Sequence, residues 1–230
     1  MNNSLTKIKK KILEITSSFS IISDYSQIND DIDLYIAGGI LRNYFIEPNL
    51  NIKDIDVFYK GESEKFIKKL KEEGEINKGP FGSLRWFPRN EDNIYYDIIS
   101  INEFNNGVER CYSIEDVLKQ FDFTINCFAY SLRTGEFFAS NKAIDDIRNK
   151  VIRLVRFDYP DENITSLIKL KRTSVLWFRI LHYASNLGFT IEEETMLWIK
   201  QNKNYYNDLS LFERFFFIPK LNEKILKEII

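Results

Sequence analysis

At 230 residues the chain can hold one generous domain or two small ones, each with a core of its own. A hydrophobic content of 44% and an aromatic content of 15% exclude a disordered chain. Lysine plus arginine at 32 nearly cancels aspartate plus glutamate at 34, which excludes a global basic field, so a nucleic-acid surface would have to be a local patch.

In chain order, apolar Ile8, Ile12, Leu13 and Ile15 among lysines predict an amphipathic helix over 6–19, its KIKKK run a solvated face. This segment has no continuous apolar region of the signal-peptide kind, and no run approaches the ~20 apolar residues of a membrane span. The expectation is a cytoplasmic protein without a membrane partner.

Residues 34–59, LYIAGGILRNYFIEPNLNIKDIDVFY, organise the rest. They read as an apolar strand, a Gly38-Gly39 turn, a short amphipathic helix, a polar loop and a second strand carrying Asp54 and Asp56. Side chains alternate along a strand, so these two carboxylates project from one face and suit a shared divalent ion. Gly38 and Gly39 before a helix N-terminus can turn N–H groups toward an anion, with Arg42 on the first turn beside them.

Further on, Phe66, Ile67 and Leu70 predict a helix within 62–73 that Gly74 ends. A turn and a short strand follow in GPFGSLRWF, and 90–93 form another turn. The β-branched and aromatic run IYYDIISI, 94–101, predicts a strand next to that of Asp54. Asp97 within it is the natural third carboxylate, since a lone Asp in an apolar strand is costly unless paired or bound to a metal. Ser113 with Asp116 marks a helix start. Asp145 and Asp146 read as helix-start residues that meet the dipole, not as ligands. Around Pro160 a polar linker divides the chain, and beyond it the pattern is helical, with Gly188 closing one helix and another beginning near Thr190.

Cys111 and Cys127 lack metal-ligand spacing and read as reduced core thiols. His182, the sole histidine, reads as a helix-surface or core residue. Phe212, Phe215, Phe216 and Phe217 suit core packing or a partner interface. The basic residues of 148–182 could hold a triphosphate or an RNA backbone, or could be a solvated helix face.

The GGILRN and DID motifs resemble the GGxxRD … DxD signature of the class II tRNA CCA-adding enzyme and bacterial poly(A) polymerase family, within the polymerase-β-like nucleotidyltransferases. DFTINCFAY, 122–130, with Gly135, is similar to the family's RRDFTINALAYD…G motif, and FRILHYASNLGFTIEEET to its neck sequence. The resemblance implies an α+β fold: a nucleotidyltransferase head with a small mixed sheet and helices over 1–156, then an all-helical neck over 157–230. It implies transfer of a nucleoside monophosphate from an NTP to an acceptor hydroxyl, most naturally an RNA 3′ end. Asp54, Asp56 and Asp97 would hold Mg²⁺ or Mn²⁺, as a pair about 3.5–4 Å apart. Gly38, Gly39 and Arg42 would hold phosphates, and Asp122, Asn126 and Arg179 would complete the nucleotide site. A protein partner could supply the body and tail that family members carry after the neck.

The family pattern is broken at Asn43, at Gln120 and Phe121 where two arginines are usual, and at Thr173 and Leu176 where an Asp and an Arg read the base. These departures leave the nucleotide open. They also admit a non-catalytic nucleotide- or RNA-binding scaffold on the same fold, and because the head chemistry does not define the acceptor, nucleotidylation of a protein or small molecule stands beside transfer to RNA.

Overall fold

The structure, a computed structural model, describes residue 10 and residues 20–46, 54–79, 83–89, 94–105, 107–140, 142–166 and 168–230. The helix expected over 6–19, the loop at 47–53 and the turns at 80–82 and 90–93 therefore lie outside the described residues, Lys10 apart. Two compact units divide the chain. The first holds Met1–Asn105, Arg110–Leu118 and Asn126–Ser140; the second holds Asn106–Glu109, Lys119–Ile125 and Asn141–Ile230. The sequence-based division falls at 156/157, whereas this grouping by contacts runs through other points.

The first unit is built on a seven-stranded sheet. Its strands are β1 (Ile32–Ala37), β2 (Asp54–Gly61), β3 (Gly74–Lys78), β4 (Leu84–Pro88), β5 (Tyr95–Ser100), β6 (Phe128–Ser131) and β7 (Phe137–Ala139). They lie in the order β3-β4-β5-β2-β1-β6-β7, antiparallel except for the parallel pair β2 and β5. A parallel pair needs a crossover. Helix α3 (Glu64–Glu73) and the β3–β4 hairpin provide it, and α1 (Ser20–Ile28), α2 (Gly39–Ile46) and α4 (Ile114–Leu118) complete the unit.

Alternation decides the faces. Leu34, Ile36, Ile55, Val57, Trp86, Tyr96 and Ile98 are all buried, and Phe66 and Leu70 of α3 are fully so. The Trp86 indole donates to the Leu70 carbonyl at 2.8 Å, so this packing leaves no orphan indole donor. Gly74 does end α3, but in extended backbone, because the chain runs straight into β3. Strand β3, GEINK, escapes a reading by periodicity because it is a polar strand at the sheet edge.

The second unit comprises α5 (Ala143–Asn149), α6 (Arg172–Leu187), α7 (Glu193–Gln201), α8 (Leu209–Phe215) and α9 (Glu223–Ile229), with a 3₁₀ turn at Lys203–Asp208. The helical neck is interrupted by β9 (Thr190–Ile191), which pairs in parallel with β8 (Val151–Ile152). Gly188 closes α6 in the left-handed region at φ 66, where a Cβ is disfavoured, and its N–H donates to the Ala184 carbonyl. Because Thr190 is in β9, α7 starts later than the sequence suggests, with Glu192 as its cap accepting from the Thr195 N–H at 2.9 Å.

Trp177, Phe178, Ile180 and Leu181 of α6 form the core of this unit. Phe178 meets Phe212 with ring centroids 4.8 Å apart, and Phe216 stacks on Phe212 at 5.1 Å, so the aromatic tail is largely core; Phe215 alone of the four stays exposed. His182 is structural, its Nδ1 accepting from the Lys220 N–H at 2.9 Å and its ring lying against Phe217. Both cysteines are buried free thiols. Among the described residues no helix is long and apolar enough to cross a membrane.

Candidate functional site

In the first unit, one rung of the sheet crosses all seven strands, from Phe138 of β7 to Asn77 of β3. Ala129 pairs with Ala37, Ala37 with Asp56, Asp56 with Asp97, and Asp97 with Arg85. Register partners share a face, and Asp54 joins Asp56 there because it lies two residues before it. All three expected carboxylates therefore stand on one face, opposite the face that carries Ile55, Val57, Tyr96 and Ile98. Exposure rises from Ala129 toward Asp97: Ala129 and Ala37 are fully buried, Asp56 and Asp97 are half-buried, and Asp54 beside them is exposed.

Asp97 has a partner that the sequence did not announce. Arg85 Nε and Nη2 donate to its two carboxylate oxygens at 3.0 and 2.9 Å, a bidentate fork, and the guanidinium lies 4.1 Å from the centre of the Tyr95 ring. The Asp97 carboxylate raises Arg85 above its ordinary range against the opposing effect of burial. Burial first, and then the charge of Asp54, push the Tyr95 phenol up. Among the described residues no three His, Cys, Asp or Glu side chains are positioned together to hold a metal. Asp54 and Asp56, two carboxylates on one face at an exposed strand end, fit a divalent cation as a pair, with hard oxygen donors of the kind Mg²⁺ and Mn²⁺ take.

The glycine turn sits at the end of β1. Gly38 takes φ 78, where only glycine is at ease, and its N–H is spent on the Phe128 carbonyl at 3.0 Å. Gly39 begins α2, and the Arg42 guanidinium lies over it, 3.4 Å from where a Cβ would stand. Arg42 is buried; its Nη1 donates to Asn126 Oδ1 at 2.7 Å, and Nε and Nη2 donate to Asn43 Oδ1 at 3.1 and 2.9 Å. Two expected nucleotide-binding residues 84 positions apart thus meet, and Asn43, one of the departures, serves as a neutral acceptor for the same guanidinium.

The other expected nucleotide-binding residues lie in the second unit. Arg179 Nε and Nη2 both donate to Asp122 Oδ2, at 2.9 and 2.6 Å, while Asp122 Oδ1 accepts the Phe123 N–H at 2.8 Å. Gln120 is fully buried and donates to the Glu109 carbonyl at 2.6 Å, an enclosed place ill suited to the arginine of the family pattern. Thr173 and Leu176 are buried, and the Thr173 hydroxyl meets Asp161 and Tyr205. The helix start at 145–146 does more than answer a dipole. Asp146 is buried, accepts from Thr124 Oγ1 at 2.6 Å and pairs with Arg153 at 3.0 Å. Arg148, Arg156 and Lys171 likewise face carboxylates, so the basic stretch is laced with ion pairs.

A family model described as "Gad2: Gabija anti-defense 2 family protein" matches residues 6–150. No curated protein sequence matches the chain. Among solved structures, a CCA-adding enzyme in complex with CTP superposes with a TM-score of 0.70 at 20% identity, over 96% of this chain and 53% of that one. The Thermotoga maritima CCA-adding enzyme complexed with tRNA gives 0.67 at 19% identity, over 97% and 52%. A tRNA nucleotidyltransferase with a primer tRNA and an incoming ATP analogue gives 0.58 at 21%, over 86% and 63%. The chain has the fold of these nucleotidyltransferases and spans about half the length of the first two.

Proposed function

From the premise that the chain belongs to the Gabija anti-defense 2 family, we propose that it is a metal-dependent nucleotidyltransferase, moving a nucleoside monophosphate from an NTP to an acceptor hydroxyl. The observation that carries this reading is the rung on which Asp56 and Asp97 are register partners, with Asp54 on the same face. Carboxylates gathered on one face repel one another unless cations answer them. Asp54 and Asp56 would hold a divalent ion, which when bound would supply charge neutralisation at the reacting phosphate and lower the pKa of an acceptor hydroxyl. Gly38 shapes the turn, and Gly39 and Arg42 bring a helix N-terminus and a guanidinium to the phosphates. Asn126 orients Arg42 through their shared hydrogen bond. Within the second unit, Asp122 and Arg179 are bonded to each other and are candidates for a nucleotide contact of that unit.

The family's description sets the activity against Gabija defence, so the acceptor we favour is a hydroxyl on a component of that defence, as protein or bound small molecule. An RNA 3′ end is the second reading; it is supported by the neighbours solved with tRNA, which have the same fold. The test is incubation with each α-phosphate-labelled NTP and Mg²⁺ or Mn²⁺, in separate arms with purified Gabija components and with total RNA. Label is expected in one acceptor with wild-type protein, and Asp54→Ala with Asp56→Ala lowers it about a thousandfold or more. Label in neither arm, from folded protein, replaces this reading with a non-catalytic binding subunit.

A further inference from the structure

Resting on that reading of the carboxylate face, we infer that Arg85 is a positioning residue that stands in for a second cation, so that Asp54 and Asp56 take up a single divalent ion. Arg85 follows Asp97 on the rung, with Asn77 of β3 beyond it, and its fork covers both oxygens of Asp97. A guanidinium is charged at every accessible pH, and its planar donors match a carboxylate two to two, which a lysine cannot do.

Two neighbours hold it in that pose. The Tyr95 ring lies under the guanidinium, with the centroid at 4.1 Å. On another side of Asp97 the backbone of Gly79 closes in, bonded through its N–H to the Ser83 carbonyl at 2.7 Å. A Cβ on Gly79 would lie 3.6 Å from Asp97 Oδ1, an ordinary contact, and 2.8 Å from Ser83 Oγ, which would have to shift. Asp97 thus has the Gly79 backbone on one side and the Arg85 cation on another.

Charge points the same way. The Arg85 guanidinium answers the charge of Asp97 before any triphosphate arrives. In two-metal sites, by contrast, the acidic residues are shared between the ions. Here the carboxylate beside Asp56 already has its cation, fixed covalently to strand β4.

Manganese binding to the full chain, followed by electron paramagnetic resonance without nucleotide, tests the inference independently of turnover. Wild-type protein is expected to take up about one equivalent, where a two-metal site takes about two. Asp54→Ala with Asp56→Ala should abolish that uptake. Asp97→Asn should leave it unchanged within about twofold, and Arg85→Gln, by releasing Asp97, should add a second equivalent or tighten the first roughly tenfold. The inference is overturned if wild type takes up two equivalents that need Asp54 and Asp56, or if Asp97→Asn weakens uptake about tenfold or more. It is also overturned if Arg85→Gln, still folded by its melting temperature, changes neither number nor affinity. In each of those cases the carboxylate site itself survives. Uptake that ignores Asp54 and Asp56, or no uptake at all, overturns the site and the role of Arg85 together.

Discussion

In the sheet of the first unit, Asp54 stands exposed at a strand end and Asp56 and Asp97 share a rung, held in place by the strands they belong to. In the second unit, Asp122, Asp146, Asp161 and Glu192 are each held by cations, hydroxyls or backbone N–H groups of that unit. The same side-chain chemistry thus serves two ends. Where every oxygen is answered from within, a carboxylate cross-links the fold. Where the backbone register aligns a row, the carboxylates share one face near a strand end, and the one on β5, Asp97, is met by Arg85 of the next strand.

That contrast can be broken, most forcefully at Asp146. Its carboxylate joins Thr124 and Arg153 in a buried setting, and Arg153 also reaches Glu192 at 3.0 Å. Asp146→Ala leaves the Thr124 hydroxyl without this acceptor and the Arg153 guanidinium with Glu192 alone, and should cost about 3 kcal/mol, read by urea denaturation. A loss below about 0.5 kcal/mol would mean that the pair is surface decoration.

Acid should expose the same dependence more gently. Burial alone would raise the carboxyls of Asp161 and Glu192. Hydrogen bonds reverse this, from Lys171, Thr173 and Tyr205 at Asp161 and from Thr195 with the charge of Arg153 at Glu192, and both titrate below the ordinary range. Each therefore contributes stability that is complete above its unfolded value, about pH 4, and is lost as pH falls through the lower folded value. Melting temperature should decline from about pH 4 downward, and Asp161→Asn with Glu192→Gln should flatten that decline. An equally steep decline in the double variant would assign the acid sensitivity elsewhere.

The smallest effect sharpens the contrast from the other side. Asp54→Asn in metal-free buffer should leave stability within about 0.5 kcal/mol of wild type, or raise it slightly as a like charge is removed. A large loss would make this residue structural after all.

How much could be seen in the sequence follows the same physics. Alternation along two apolar strands was enough to put Asp54, Asp56 and Asp97 on neighbouring strands, and the parallel pairing of β2 and β5 bears this out. The turn at Gly38 and the helix end at Gly188 were visible because positive φ selects glycine. Arg85 was not visible. A lone arginine in SLRWF carries no signal until the register of β4 on β5 sets it opposite Asp97. Strand β6, buried at every position, has no alternation to read. Nor could spacing show that Asp122 and Arg179, both expected at a nucleotide, bond to each other across 57 positions.

The parallel pairing of β2 with β5 carries a consequence for how the molecule guards against error. Sliding β5 by one residue would turn Asp97 into the layer now filled by Tyr96 and Ile98, beside Trp86, and would push those apolar groups into water. Burying an uncompensated carboxylate costs several kcal/mol, so the slipped sheet is selected against before any substrate is present. The hydrophobic layer acts as a proofreader, and a chain that has folded at all has its carboxylates in line.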